Sequence, residues 1–292
     1  MLANPWFYIA LLAIFMIGVT KSGFGSGVGL IIVPLTALAL GHGAFAGRDE
    51  LAALGLLLPL LVAGDLISVY QHRRYFTRRP SESPPPSPAH AVTPPTHTTG
   101  QIMRLLLPGT LVGIVLASLL LWWFQKQQGL VASLMRIEIG LESVLLVGLH
   151  WWRQYQGSQT RLMREPARSS ITGLFAGASS TLAHAAGPII AMYLLPLKLE
   201  RKLFVATCAL YFFVLNSLKL PFYWQSGQFV HAELGFTLRF LPIVAAGAVF
   251  GFWVNHRMSD KLFSQFIYIA TFLLGWYILI DGAIALAKLL AR

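Results

Sequence analysis

Lys21-Ser-Gly-Phe-Gly-Ser-Gly-Val-Gly29 interrupts an otherwise apolar opening, and Gly177-Ala-Ser-Ser-Thr-Leu-Ala-His-Ala-Ala-Gly-Pro188 interrupts the second half of the chain. Short apolar runs bracket both stretches: 5–19 and 28–40 around the first, 170–182 and 187–197 around the second. A spanning helix needs about 20 apolar residues, so each bracketed pair reads as a helix pair broken at its middle. Three longer apolar segments follow each pair, at 51–70, 104–124 and 130–152, then at 203–223, 234–254 and 262–287. One plan is written twice. The fold class is therefore all-α and polytopic, with two repeats of a broken, re-entrant-like helix pair plus three transmembrane helices.

If each broken pair enters and leaves on one side, each half crosses an odd number of times. The halves then point in opposite directions, the inverted-repeat plan of many secondary transporters. An ungapped shift of 154 residues lays Gly23 on Gly177, Ser26 on Ser180, Pro34 on Pro188 and Ala37 on Ala191; a shift of 151 lays Asp65 on Asn216. Lys and Arg test the topology. The predicted outer side carries four and the opposite side fourteen, a bias that sets the basic side in the cytosol. Both termini are then predicted outside an inner (plasma) membrane. The first repeat covers 1–152, a basic cytosolic linker 153–169, and the second repeat 170–292. Within the first repeat, 79–100 carries seven prolines and almost no large apolar side chain, so it reads as a disordered cytosolic loop.

Composition agrees. Apolar residues make up 56% of the 292 and charged residues only 11%, against about 25% in soluble domains. Lipid must cover much of such a surface. The net charge of +11 is gathered between apolar segments, which argues for membrane orientation and against nucleic acid. Cys208 is the sole cysteine, so an intrachain disulfide is excluded. The apolar N-terminus lacks a basic lead and a small-residue cleavage site, and is read as retained.

Backbone that leaves the helix inside a bilayer must be satisfied by protein or by water. Glycine-rich breaks therefore line a cavity or permit close helix packing. In the first case, half-helix N-termini and nearby donors suit an anion. Lys21 adds a full charge, unless it snorkels to the interface, and Ser22, Ser26, Ser179, Ser180 and Thr181 add hydroxyls. Gly23, Gly25 and Gly27 serve either the site or packing. His184 is a packing residue, a ligand or a titrating group. Arg136, Lys219, Arg239 and Asp281 fall near helix ends and read as snorkelling. Asp65 is placed to pair with Arg73 or Arg74. Glu138 and Glu142, one turn apart near mid-membrane, repel each other, so one is protonated or paired with a cation; with Asp65 they are the candidates for proton coupling. No metal-ligand cluster, cofactor motif or hydrolase motif occurs, so an enzyme is disfavoured.

Gly18-Val-Thr-Lys-Ser-Gly-Phe-Gly-Ser-Gly-Val-Gly-Leu-Ile-Ile-Val-Pro-Leu35 resembles the opening signature of the TauE/SafE sulfite exporter family. The match continues through Leu56-Leu-Leu-Pro-Leu-Leu-Val-Ala-Gly-Asp-Leu66 and Tyr70-Gln-His-Arg-Arg-Tyr75, and into the second half at 173–197 and 212–219. The resemblance implies a carrier of sulfite or related sulfur-containing anions, usually an exporter, with eight membrane segments. By position it carries over Lys21, Gly23, Gly25, Gly27 and Pro34 for the first site and Gly187 and Pro188 for the second. The second break departs from the family pattern: Ala183-His-Ala-Ala-Gly187 keeps one glycine where members often have a cluster.

The expected function is secondary transport of such an anion, held between the two broken pairs. The expected partners are a small anionic substrate and membrane lipid; a homodimer is compatible with the sequence, which specifies no interface. The alternatives are uptake of an organosulfonate or carboxylate anion and, from another class, a membrane assembly factor that transports nothing.

Overall fold

The computed structural model describes residues 4–25, 32–44, 52–76, 98–124, 128–156, 165–184, 186–194, 197, 199, 201–225, 229, 234–255, 257 and 260–291. Among them the structure is all-helical. In chain order the helices are α1 (Pro5–Gly23), α2 (Ile32–Gly41), α3 (Ala52–His72), α4 (Thr99–Phe124), α5 (Gln128–Gln156), α6 (Glu165–Ala183), α7 (Ala186–Leu194), α8 (Arg201–Gln225), α9 (Leu234–Leu238), α10 (Leu241–Asn255) and α11 (Asp260–Leu290). Four helical stretches are long and apolar enough to cross a bilayer: Pro5–Gly23, Gly55–Tyr75, Thr99–Trp123 and Lys202–Gln225. Leu111, Val112, Leu116, Leu119 and Leu120 of α4 are exposed, a stripe suited to lipid rather than to water. Trp122, Trp123, Trp152, Trp224 and Trp253 are exposed near helix ends, where amphipathic rings settle at membrane interfaces. The protein is a multi-pass membrane protein.

Several boundaries move. The first helix does not stop at 19: α1 runs 19 residues to Gly23, about 28 Å at 1.5 Å per residue. Similarly α6 stays helical to Ala183, and within it Thr181 Oγ1 donates back to the Gly177 carbonyl at 2.8 Å, so the hydroxyl is satisfied inside the helix. Ser179, Ser180 and Thr181 therefore sit on a regular helix rather than in irregular backbone. The span expected at 234–254 is two helices. Pro242, in the first turn of α10, has no N–H to donate and starts a helix more readily than it continues one. The disordered segment was drawn too far: Thr98 and Gln101 cap α4 reciprocally, with Thr98 N donating to Gln101 Oε1 at 2.9 Å and Gln101 N to Thr98 Oγ1 at 3.3 Å. Residues 99 and 100 are helical, while 77–97 lie outside the described residues.

Each broken pair returns to the end where it began. Asn4, which caps α1, also donates from Nδ2 to the carbonyls of His42 at 3.3 Å and Gly43 at 2.9 Å, beyond α2. In the second half, Arg168 near the start of α6 donates from Nη2 to the Tyr193 carbonyl at the end of α7, at 3.2 Å.

The most extensive helix contacts are α4 with α6, α5 with α11, α1 with α10, and α3 with α8. Glycines put backbone against backbone in three of them, most closely where α1 meets α10 and α4 meets α6. A Cβ on Gly18 would lie 2.0 Å from the Val244 carbonyl oxygen, and one on Gly247 would lie 2.1 Å from that of Phe15. A Cβ on Gly177 would lie 2.2 Å from the Thr110 carbonyl oxygen, and one on Gly113 would lie 2.0 Å from that of Leu174. Backbones touch here, as small-residue interfaces in membranes allow. Gly177→Leu is accordingly expected to push α6 off α4. Because backbone rather than a pliable side chain blocks the new atoms, the cost should reach or exceed the 1–3 kcal/mol typical of overpacking. A thermal melt in detergent should fall by several degrees; an unchanged melt would contradict this packing.

Candidate functional site

The close helix contacts bring the polar ends of α1 and α6 against the middle of α3 and α8. Lys21, in the last turn of α1, places Nζ 2.8 Å from Asp65 Oδ1 on α3. The other Asp65 oxygen accepts from Asn216 Nδ2 on α8 at 2.6 Å. Lys21 Nζ also lies 4.3 Å from the centre of the Phe212 ring, a cation–π contact that partly replaces lost hydration. Ser68 Oγ, one turn beyond Asp65, donates to the Lys21 carbonyl at 2.8 Å and ties α3 to the end of α1.

A second constellation lies one turn along α8. Lys219 is fully buried. Its Nζ donates to the Ser180 carbonyl at 2.9 Å, to Ser180 Oγ at 2.8 Å and to His184 Nδ1 at 2.9 Å. Tyr223, one turn further, donates its hydroxyl to the Thr181 carbonyl, and its ring centre lies 6.0 Å from that of His184. The two helix ends are built alike: Gly25 follows α1 with φ +71° and His184 follows α6 with φ 53°. A left-handed residue past the last turn is a common helix stop, usually glycine. Histidine is among the side chains that tolerate it better than most.

The predicted residues fall as follows. Lys21, Ser22, Ser180, Thr181 and His184 are buried at the ends of α1 and α6, which Asp65 and Lys219 join from α3 and α8. Ser22 Oγ is buried and has no hydrogen-bond partner among the described residues. Gly23 is buried with its Cα toward the Gly251 backbone, and Gly25 supplies the left-handed turn. Gly187 is buried in the first turn of α7, and Pro188 follows it. Ser26 and Gly27 lie outside the described residues, as does the side chain of Glu142. Glu138 is half-buried on α5, whose main neighbour is α11.

Three readings change. Asp65 pairs with Lys21 and Asn216, whereas Arg73 turns its Nη1 to the Tyr70 carbonyl at 2.8 Å. Lys219 does not snorkel, because α6 covers it and supplies three acceptors. Its position on α8 gave no sign of this; the hydroxyl run at 179–181 was the only available hint of a facing cation. Finally, both lysines meet the C-terminal ends of α1 and α6, where the helix dipole favours a cation. The half-helix N-termini belong to α2 and α7, on the far side of each break.

No group of three or more metal-ligating side chains occurs among the described residues. Among the described residues two lysines, one carboxylate and a hydroxyl without a hydrogen-bond partner instead form a buried polar centre, whose three charged groups sum to +1 when all are ionised. Such a centre can hold an anion by charge and hydrogen bonds. The family model described as Sulfite exporter TauE/SafE matches residues 96–278. No curated protein and no solved structure matches the chain.

Proposed function

The chain belongs to the TauE/SafE sulfite exporter family, and on that premise we propose that it carries sulfite, or a related small sulfur-containing anion, outward across the inner membrane. The observation that carries this reading is the charge balance of the buried centre, with Lys21 and Lys219 against Asp65 alone among the described residues. An uncompensated buried cation costs several kcal/mol, and a transient anion relieves that cost while it is bound. In this reading Lys21, Ser22, Lys219, Ser180 and His184 make the contacts, and Gly25 and Gly187 keep the backbone close around them. Leaving a negative interior is downhill for an anion by about 2.3 kcal/mol per charge per 100 mV. Export therefore needs no coupling ion.

The two halves act as inverted repeats around this centre, with both termini outside. Paired contacts support the relation. Gly25 and His184 end the first helix of each half, 159 residues apart. Lys21 and Ser180, also 159 apart, each offer a carbonyl to a side chain from the third helix of their own half: Ser68 in one, Lys219 in the other. Those two donors are 151 residues apart, as are Asp65 and Asn216, which bond to each other. The first helices thus align at 159 rather than at the ungapped 154.

The test is efflux from proteoliposomes loaded with sulfite. Saturable efflux above that of protein-free vesicles is expected, faster with the interior negative. Flux no greater than the protein-free control, for sulfite, thiosulfate and an organosulfonate alike, would discard the reading.

A further inference from the structure

The two lysines are satisfied in chemically different ways. Lys219 rests on neutral acceptors, a carbonyl, a hydroxyl and an imidazole nitrogen. Lys21 rests on a carboxylate. Asp65 is itself fully buried and uses both oxygens, one toward Lys21 and the other toward Asn216. A carboxylate and a small oxyanion share charge sign, acceptor oxygens and preferred distance to an ammonium group. An anion that draws on the same face of the Lys21 ammonium competes for the position that Asp65 Oδ1 now holds. Ser22, the residue after Lys21 in the last turn of α1, has a buried Oγ with no hydrogen-bond partner among the described residues, a donor that Asp65 leaves unused.

We propose that Asp65 is a tethered competitor for the substrate: it occupies Lys21 in the empty carrier, is displaced when the anion binds Lys21 and Ser22, and by returning expels the anion. The inference rests on the anion-carrier reading of the same centre and adds what limits affinity there. Asn216 holds the second carboxylate oxygen, so Asp65 swings away from Lys21 without losing its other hydrogen bond. A carrier gains nothing from binding so tight that release stalls, and an internal competitor sets that balance. Because the competitor is covalently attached, its effective concentration is high whatever the substrate level.

The experiment compares the full chain in detergent with Asp65→Asn and Asn216→Asp, using calorimetric titration of sulfite and initial efflux rates from proteoliposomes. Asp65→Asn keeps the side-chain shape and a carbonyl oxygen for Asn216, and removes the competing charge. Sulfite binding should tighten about tenfold or more, the change that a loss of 1.4 kcal/mol of competition produces. KM and kcat for efflux should fall together, because release is slowed. A purely structural Asp65 would give weaker binding and lower flux instead. Asn216→Asp adds a second carboxylate and should weaken sulfite binding about tenfold, which keeps the idea testable if Asp65→Asn does not fold. Wild-type binding with unchanged or weakened binding in Asp65→Asn would overturn the competitor and leave the carrier reading intact, as would unchanged binding in Asn216→Asp. If sulfite, thiosulfate and sulfate all fail to bind wild type and both variants, the anion site and its competitor fall together.

Discussion

Replacing Lys219 with Met should lower sulfite efflux by about 100-fold while the protein still folds. The side chain is fully buried and donates to Ser180 O, Ser180 Oγ and His184 Nδ1. Methionine fills nearly the same space without the charge. Truncating one partner of a buried, hydrogen-bonded charge contact costs 2–5 kcal/mol, and each 1.4 kcal/mol is about tenfold. Stability should change much less, since the acceptors on α6 lose their donor while an uncompensated buried charge is removed. Efflux rates and a thermal melt on one preparation separate the two effects. Wild-type flux from Lys219→Met would remove this residue from the anion path.

The second large effect concerns Lys21. Its removal as Lys21→Met strands the Asp65 carboxylate in a site with no exposure, a defect worth about 3–5 kcal/mol. The single variant should melt well below wild type or fail to accumulate. Adding Asp65→Asn removes the stranded charge and should restore stability to within about 1 kcal/mol, since close pairs are strongly non-additive. Transport should stay absent in the double variant, because the cation that meets the anion is still missing. Restored stability with restored flux would make Lys21 a folding residue alone, and a single variant as stable as wild type would contradict the ion pair.

These residues mark how far the sequence could be read. The helical membrane fold followed from apolar runs and clustered basic residues, since lipid leaves the backbone few alternatives. The pairing of Asp65 with Asn216 was foreshadowed when a simple shift superposed them; two halves meeting across an axis bring equivalent positions together. The limits of the breaks were harder to see. Gly177-Ala-Ser-Ser-Thr181 is compatible with helix or with irregular backbone, and as a helix it lets α4 pack against the bare backbone at Gly177. Lys219 illustrates the main blind spot. A lysine well along an apolar segment looks the same whether it reaches outward to headgroups or is roofed by another helix, and only the docking of α6 decides. Two signals were present and unused: Pro242, which divides a long apolar segment, and Thr98-x-x-Gln101, which announces the start of α4.

The glycine contacts also bear on the order in which the protein can be made. α6 docks on α4, which is already synthesised when α6 emerges from the ribosome. α1 docks on α10, and Gly18 must wait for Val244 and Gly247 to be translated before its bare backbone finds its neighbour. Long-range contacts of this kind are made late. Assembly in the membrane therefore begins from the middle of the chain, around α4 and α6, and α1 and α11 find their main neighbours late. A nascent chain halted before residue 241 would contain Lys21 and Asp65 but lack α10, the main neighbour of α1, so the surroundings of the buried polar centre are complete only after α10 is made.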